Sequence, residues 1–324
     1  MTHGRLSPSL RQRLLFLLAG NLLLLVGIAI TMKQGGSFAE VLTRCGPNVA
    51  PVVLAGLGMT GIICTGAIDL SIASIIVVSG TVFGILVQRQ WPPLPCFSAC
   101  IGTALLLSAM NGLLIRRLRL PAIIISLSGL ALYRGVALVL ADVSIPGFGG
   151  SIGIQRDEYH APGKQFATLI LLLTLGGALI WEWFAVTPRR WLALGSSEES
   201  CRLAGLNPHA IRQSAFVVGG LFLGIAALIY VTQIQFIEPA RLALGFELQV
   251  IGAVILGGTN IFGGEGSYAG TALGALFLYF TGQWMTYAGV SPYFQEAITG
   301  ALILGVIGLD CGLHRKRKRM EELA

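Results

Sequence analysis

Asp69 is a lone carboxylate inside about forty overwhelmingly apolar residues, Pro47 to Val87, in the local sequence Gly66-Ala67-Ile68-Asp69-Leu70-Ser71. Placing a charge inside a bilayer is expensive, so an intramembrane carboxylate marks a candidate functional site: Asp69 would shape an ion or substrate path, or hold a broken helix through hydrogen bonds to free backbone groups. The plainer reading has Asp69 and Ser71 in a hairpin between two crossings, capping the helix that follows. Four further polar side chains sit in or beside apolar runs: Asn111, Arg134, Gln295 and Glu296. They could line a translocation path or brace one helix against another. Arg134 lies about 20 Å along a helix from Pro121, at roughly 1.5 Å per residue. That places it in the outer half of a bilayer, within snorkelling reach of the interface. Its candidate partners are an acid, Glu296 among them, or backbone carbonyls. Asn111 reads as an interhelical hydrogen-bonding group. Glu182 falls within about one turn of the inner end of its run.

Other chemistries lack their patterns. The six cysteines are scattered, with Cys96 and Cys100 four apart. His3, His160, His209 and His314 fall in polar segments. No His-Glu-x-x-His or Cys-x-x-Cys spacing exists, so no metal is expected. No cofactor is expected, and no nucleophile–base pair or other catalytic set points to an enzyme. Gly257-Gly258, Gly263-Gly264 and Gly163-Lys164-Gln165 lack the Lys-Ser/Thr of a phosphate-binding loop. Any ATP hydrolysis must therefore come from another polypeptide.

The elements that position these groups are membrane helices. Hydrophobic residues make up 54% and charged residues 11%, with mean hydropathy +0.78; soluble domains carry about 25% charge. A crossing needs roughly 20 apolar residues. The runs are Leu14–Met32, Pro47–Gly66, Leu70–Val87, Phe97–Ile115, Pro121–Ala141, Phe166–Val186, Ser214–Gln233, Leu248–Phe262, Tyr268–Tyr287 and Pro292–Leu309. The expectation is an all-α polytopic integral membrane protein of about ten transmembrane helices with both termini cytoplasmic. Residues 1–324 form a single domain. The run Leu14–Met32 is too long for an ordinary signal core and reads as a retained first span. The eighth run is short, which suits an upright or broken helix.

Charge supports this arrangement. Of the 22 Lys and Arg, fifteen fall in the inner segments and six in the outer ones, with Arg134 inside a span. That follows the positive-inside rule. The net charge of +7 is not a nucleic-acid signal, because no basic amphipathic face or basic–aromatic stripe exists. Two inner segments stand out: a loop over 187–213 and a basic tail over 310–324. In the loop, Ser196-Ser197-Glu198-Glu199 has the small hydroxyls and acids of a helix start. Gly205-Leu206-Asn207-Pro208 reads as a helix stop. Between them lies a short surface helix of about two turns. Gly220 and Gly224, and Gly270 and Gly274, are small-xxx-small pairs for close helix packing.

Several motifs together resemble one family. They are Gly66-Ala67-Ile68-Asp69-Leu70-Ser71, Asn111-Gly112-Leu113-Leu114-Ile115, Leu120-Pro121-Ala122-Ile123-Ile124 and Tyr133-Arg134-Gly135. Ala193-Leu194-Gly195 with Ala204-Gly205-Leu206-Asn207 follow, then Val254-Ile255-Leu256-Gly257-Gly258-Thr259, Phe262-Gly263-Gly264-Glu265-Gly266-Ser267 and Val290-Ser291-Pro292-Tyr293. In this order they resemble the membrane permease subunit of carbohydrate ABC importers, the branch with ribose, xylose, galactoside and autoinducer-2 systems. Ala67 and Ala73 stand where the family usually has glycine, and Ser200 and Cys201 where alanine is frequent.

The resemblance implies a multi-pass permease of the inner membrane that moves a monosaccharide or related small polyol by alternating access. It implies an ABC ATPase subunit, a periplasmic or lipid-anchored sugar-binding protein, and a second permease copy or close paralogue. The loop with Leu194, Gly195, Glu198, Glu199, Ala204, Gly205 and Leu206 would dock on the ATPase. The rival reading is an ion-coupled secondary transporter of a small polar solute, with Asp69 as its best candidate site.

Overall fold

The computed structural model describes residues 8–32, 37–144, 151–154, 156–291, 294, 295, 297–302, 304, 305 and 308. The tail over 310–324 and, within the run Pro292–Leu309, Glu296 and six other residues lie outside the described residues. The described chain is all-α apart from one two-residue strand pair. Its elements are α1 (Pro8–Thr31), α2 (Phe38–Cys64), α3 (Ile72–Gln88), α4 (Pro93–Leu118) and α5 (Ala122–Ser144). Then come β1 (Ile152–Gly153), a 3-10 turn (Asp157–His160), α6 (Ala161–Lys164), α7 (Ala167–Phe184), α8 (Val186–Ser196) and α9 (Glu198–Leu203). The chain continues with α10 (Pro208–Gln233), β2 (Phe236–Ile237), α11 (Phe246–Leu256) and α12 (Tyr268–Tyr287). Six helices, α1, α2, α4, α5, α7 and α10, are long and apolar enough to cross a membrane; α3 and α11 are shorter apolar helices.

α2 and α10 are the most buried of these and run antiparallel through the centre. A Cβ on Gly58 would lie 2.7 Å from the Gly219 carbonyl. At the other end of the pair, Gln233 Nε2 donates to the Pro47 carbonyl at 2.7 Å. α3 runs parallel to α10, because Gly80 meets Val231, while Ser108 of α4 donates to the Phe216 carbonyl at 2.8 Å. The chain thus reverses between α2 and α3, and Asp69 lies in that reversal. One end of the bundle carries the turn 65–71, the α4–α5 junction, the segment 185–207 and the loop 257–267. The other end carries 89–92, the antiparallel β1–β2 pair with its flanking turns, and 234–245. The outward faces of α1, α4, α5 and α7 present apolar side chains such as Phe16, Leu94, Leu132 and Leu173, as a lipid-facing surface requires.

Two boundaries differ from those read in the sequence. α2 starts nine residues before the apolar run at Pro47, with Glu40 and Arg44 paired at 2.6 Å one turn apart. A helix with Pro47 and Pro51 inside it lacks backbone donors. The Pro47 carbonyl, which would bond residue 51, is served by Gln233 instead. α11 spans only about 16 Å at roughly 1.5 Å per residue, half the hydrocarbon thickness. Its missing half is the irregular segment 236–245, with Ala243 at φ 54 and Gly245 at φ 73.

Small residues set the close crossings. A Cβ on Gly274 would strike the Ala253 carbonyl, and one on Gly270 the Gly257 carbonyl, where α11 meets α12. Gly220 and Gly224 lie against the α4 backbone at Leu105 and Ile101. Gly282, on the same helix as Gly274, has open space around it. Gly274→Val should destabilise the protein by about 1–3 kcal/mol through overpacking, read as a lower melting temperature in detergent. Gly282→Ala should hold or raise that temperature.

Candidate functional site

The segment after α7 is more structured than a loop with one helix. α8 is a helix where no regular element was expected over 186–195. Trp191 anchors it: the ring is 2% exposed, meets Trp181 edge to face at 5.3 Å, and donates through Nε1 to Ser214 at 2.9 Å. Gly61 of α2 is what admits the Trp191 ring. α9 then forms over Glu198–Leu203. Ser197 is its N-cap, with Oγ accepting from the Ser200 amide at 3.1 Å. Glu198 accepts from Arg202 at 2.6 Å and from Arg212 at 3.2 Å, which ties α9 to the start of α10. Partial burial pushes the Glu198 carboxyl up, but the two arginines outweigh it and hold the group below its usual range. Gly205, at φ 74, closes α9 in a conformation that suits glycine. Pro208 does not end this helix; it is the first residue of α10, which Asn207 caps by accepting from the Ala210 amide at 3.2 Å. The residues from Arg202 to Gly205 are exposed, and Leu203 is 82% exposed.

α8 ends against backbone. Gly195 is pressed on the Cys64 carbonyl at the end of α2 and on the Gly264 amide. The Gly264 amide donates to that same Cys64 carbonyl at 3.1 Å. Gly263, at φ 91, lies against the Gly66 backbone, and a Cβ there would come within 2.8 Å of the Gly66 nitrogen. Three segments far apart in sequence therefore meet without side chains between them: the end of α8, the turn after α2 and the loop before α12. Leu194 is buried beside this junction, whereas Glu199, Ala204 and Gly205 are exposed and Leu206 is half-buried. Glu182 joins the same end of the bundle, with Oε1 accepting from the Tyr268 amide at 3.4 Å at the start of α12.

Asp69 lies a few residues along the turn after α2. Its Oδ1 accepts from the Ser71 amide at 2.9 Å and from Ser71 Oγ at 2.6 Å. Ser71 Oγ accepts in turn from Asn111 Nδ2 at 2.8 Å, and Asn111 Oδ1 accepts from the Tyr133 hydroxyl at 2.6 Å. The expectation of a surface cap needs correction. Ser71 precedes α3 but makes no side-chain cap to it, and Asp69 is 0% exposed. The four residues form a chain that binds the turn to α4 and α5. Gly129 lets α5 come this close, since a Cβ there would lie 3.3 Å from Ser71 Cβ. Asp69 Oδ2 is buried with no hydrogen-bond partner. Tyr133 was missed as a partner because it sits 22 residues beyond Asn111 and reads as an ordinary aromatic in an apolar run.

Among the described residues Arg134 reaches backbone carbonyls and not an acid. Its guanidinium donates to the carbonyls of Pro239 at 3.1 Å, Ala240 at 3.4 Å and Leu242 at 3.3 Å. These belong to the irregular half of the α11 crossing. Gln295 does not meet Arg134 either: it donates to the Val290 carbonyl at 2.9 Å and to Thr286 at 3.4 Å. Glu296 lies outside the described residues. Among the described residues no group of three or more His, Cys, Asp or Glu could hold a metal ion.

The family described as branched-chain amino acid transport system / permease component matches residues 47–307. The ribose import permease protein RbsC of Escherichia coli (strain K12) is 28% identical over 293 residues, covering 89% of this chain and 91% of that protein. The autoinducer 2 import system permease protein LsrC of Escherichia coli (strain K12 / DH10B) is 29% identical over 296 residues, covering 87% and 83%. Among solved structures, an ABC transporter described as metal-chelate type, in an inward-facing conformation, superposes with a TM-score of 0.53 at 15% identity. The superposition covers 90% of this chain and 98% of that one, and shows a shared fold.

Asn111→Ala should unfold the protein more readily, because it leaves the buried Tyr133 hydroxyl without its acceptor and takes a donor from Ser71 Oγ, which keeps only its bond to Asp69. Each buried group left unpaired costs about 1–3 kcal/mol. Tyr133→Phe removes one donor and should cost roughly 1 kcal/mol. Denaturation of the two purified variants in detergent reads the difference; equal stability of both with the parent chain would contradict the chain of hydrogen bonds described above.

Proposed function

The chain belongs to the branched-chain amino acid transport system / permease component family, and from that membership we propose that it is one half of an ATP-driven importer for a monosaccharide or related small polyol. It is a multi-pass membrane transport permease and not an enzyme. The sugar class is supported by the relatives named for ribose and autoinducer 2 import. The family description names branched-chain amino acids, but a zwitterionic cargo calls for fixed counter-charges on the path. The interior polar groups described above are mostly neutral amides and hydroxyls, which suits an uncharged polyol.

The observation that carries the ATP-driven reading is α9. It is a capped, ion-paired helix that holds an apolar Leu203 out in the open beside Arg202. A separate ATPase subunit would seat this knob in a groove. Its closure would then pull on Leu194 and Gly195 and, through the backbone junction, on α2 and the loop before α12. A soluble sugar-binding protein would deliver cargo to the opposite end, and a second permease copy or paralogue would complete the path. In this reading the chain crosses the inner membrane ten times. α1–α5, α7 and α10–α12 supply nine crossings and the run Pro292–Leu309 the tenth. Both termini are cytoplasmic, and residues 1–324 make one permease domain. Arg116, Arg117, Arg119, Arg189, Arg190, Arg202 and Arg212 then lie at the α9 end, on the cytoplasmic side.

The ion-coupled rival has one observation in its favour, the unpartnered Asp69 Oδ2. Proteoliposomes holding this chain with its ATPase and binding protein separate the two readings. Uptake should require internal ATP and should persist when ionophores collapse proton and sodium gradients. Uptake that follows either gradient without nucleotide would reverse the choice. In the same vesicles Gly205→Val should uncouple transport. Positive φ costs a β-branched residue about 1–2 kcal/mol, which is enough to distort the end of α9. Sugar moved per ATP hydrolysed should fall roughly tenfold while membrane insertion stays normal.

A further inference from the structure

At the end of the bundle opposite α9, two cavities share Asn48. The larger holds about 320 Å³ between α2, the end of α10 and the start of α11. Its walls include the amides of Asn48, Gln233 and Gln249, with Tyr230, Phe246 and Leu244. The smaller holds about 160 Å³ and leads toward Glu40 and Arg44, past Tyr279, Gln283 and Tyr287. Small-molecule sites occupy roughly 300–1,000 Å³, so the larger cavity is big enough for a small ligand.

The chemistry of the larger cavity is selective. Among the described residues no charged side chain lines it. A primary amide both donates and accepts, as a sugar hydroxyl does. Gln233 is held in place by its bond to the Pro47 carbonyl, so its amide is set before any ligand arrives. Tyr230 and Phe246 meet edge to face with centroids 5.6 Å apart, giving an aromatic wall for an apolar ring face. In the neighbouring cavity the one charged pair, Glu40 and Arg44, is satisfied by itself at 2.6 Å.

Two further observations point to a passage. Gln249 is exposed on an apolar helix, and Asn48, which already hydrogen-bonds Tyr279, is exposed on another. An amide facing hydrocarbon has no partner there, so this face has to meet water or protein. The cavity also sits at the break in a crossing, where 236–245 gives way to α11. Broken helices are where transporters build sites for cargo near the middle of the path.

We propose that this cavity is a transit site for an uncharged monosaccharide. Asn48, Gln233 and Gln249 exchange hydrogen bonds with its hydroxyls, and the Tyr230–Phe246 wall meets its C–H face. This deepens the functional reading above and rests on it.

The test uses the assembled importer in proteoliposomes with radiolabelled D-ribose, D-xylose and D-galactose. Gln249→Trp fills the cavity and should abolish uptake of whichever sugar the parent complex moves. Gln249→Ala should lower uptake at subsaturating sugar roughly tenfold. ATP hydrolysis stimulated by the sugar-loaded binding protein should stay within about twofold, since α9 and its surroundings are untouched. Gln249→Asn, which keeps the amide and shortens its reach, should change the ratio of uptake among the three sugars; a merely structural residue would scale all three together. Gln249 variants that transport like the parent, or that lose all three sugars in proportion along with the hydrolysis response, overturn the site and leave the importer reading standing. A parent complex that takes up none of the three removes the reading and the site together.

Discussion

A backbone inside a bilayer has no water to turn to, so every interruption of a helix has to find its partners within the protein. Among the described residues four such points each have a specific answer. The carbonyl of Pro47, left without a donor by Pro51, takes the amide of Gln233. The carbonyls of Pro239, Ala240 and Leu242 take the guanidinium of Arg134. The amide of Ser71, at the turn before α3, takes the carboxylate of Asp69. The carbonyl of Cys64, at the end of α2, takes the amide of Gly264. The polar residues that stand out in an apolar sequence are largely these answers. Arg134 is a brace for a broken crossing, and its charge is spread over the carbonyls of Pro239, Ala240 and Leu242.

The fourth interruption differs in kind, because it joins three segments backbone to backbone. Gly66, Gly195, Gly263 and Gly264 bring three backbone segments together with no side chain able to yield between them. Close-packed contacts of this sort transmit displacement without absorbing it. α8 is fixed to α10 through Trp191 and Ser214, and α9 through Glu198 and Arg212. A force on the exposed end of α9 thus has two stiff routes into the bundle, one through α10 and one through the glycine junction into α2.

Much of this was legible in the sequence, and the rest was not for physical reasons. Membrane helices declare themselves by apolar length, and the motif set pointed to the right family because it combined many short pieces in order. The start and stop of α9 were readable because capping is local: Ser197 and Gly205 act within a few residues of themselves. The beginning of α2 was misread because Pro47 looks like a helix start, while the residue that lets a proline sit inside this helix lies 186 positions away. For Asp69 the sequence left a hairpin and a broken helix both open; it lies in the turn between α2 and α3, and its burial was invisible. The side chains that enclose it, Asn111 and Tyr133, are on α4 and α5 and carry no spacing signal toward it. α8 escaped notice because Thr187-Pro188-Arg189-Arg190 reads as polar connection. What makes it helical is the packing of Trp191 beneath Gly61.

The two ends of the bundle are built for different tasks, and α2 touches both. At one end its last carbonyl is held in the glycine junction. At the other, Asn48 and Pro51 border the neutral cavity. Its 27 residues reach about 40 Å at roughly 1.5 Å per residue, enough to connect the two faces of a membrane. For most of that length the helix is buried and regular, so a displacement of Cys64 is carried along it as a rigid rod. The regularity ends at Pro47 and Pro51, where helical hydrogen bonds are missing and bending costs least. That weak stretch lies at the cavity wall. In the proposed reading, a pull delivered to the α9 end would be expressed where the wall can change shape, while Asp69, Asn111 and Tyr133 would keep α3, α4 and α5 from following. The same partnerships that satisfy the backbone would then divide the molecule into a part that moves and a part that holds.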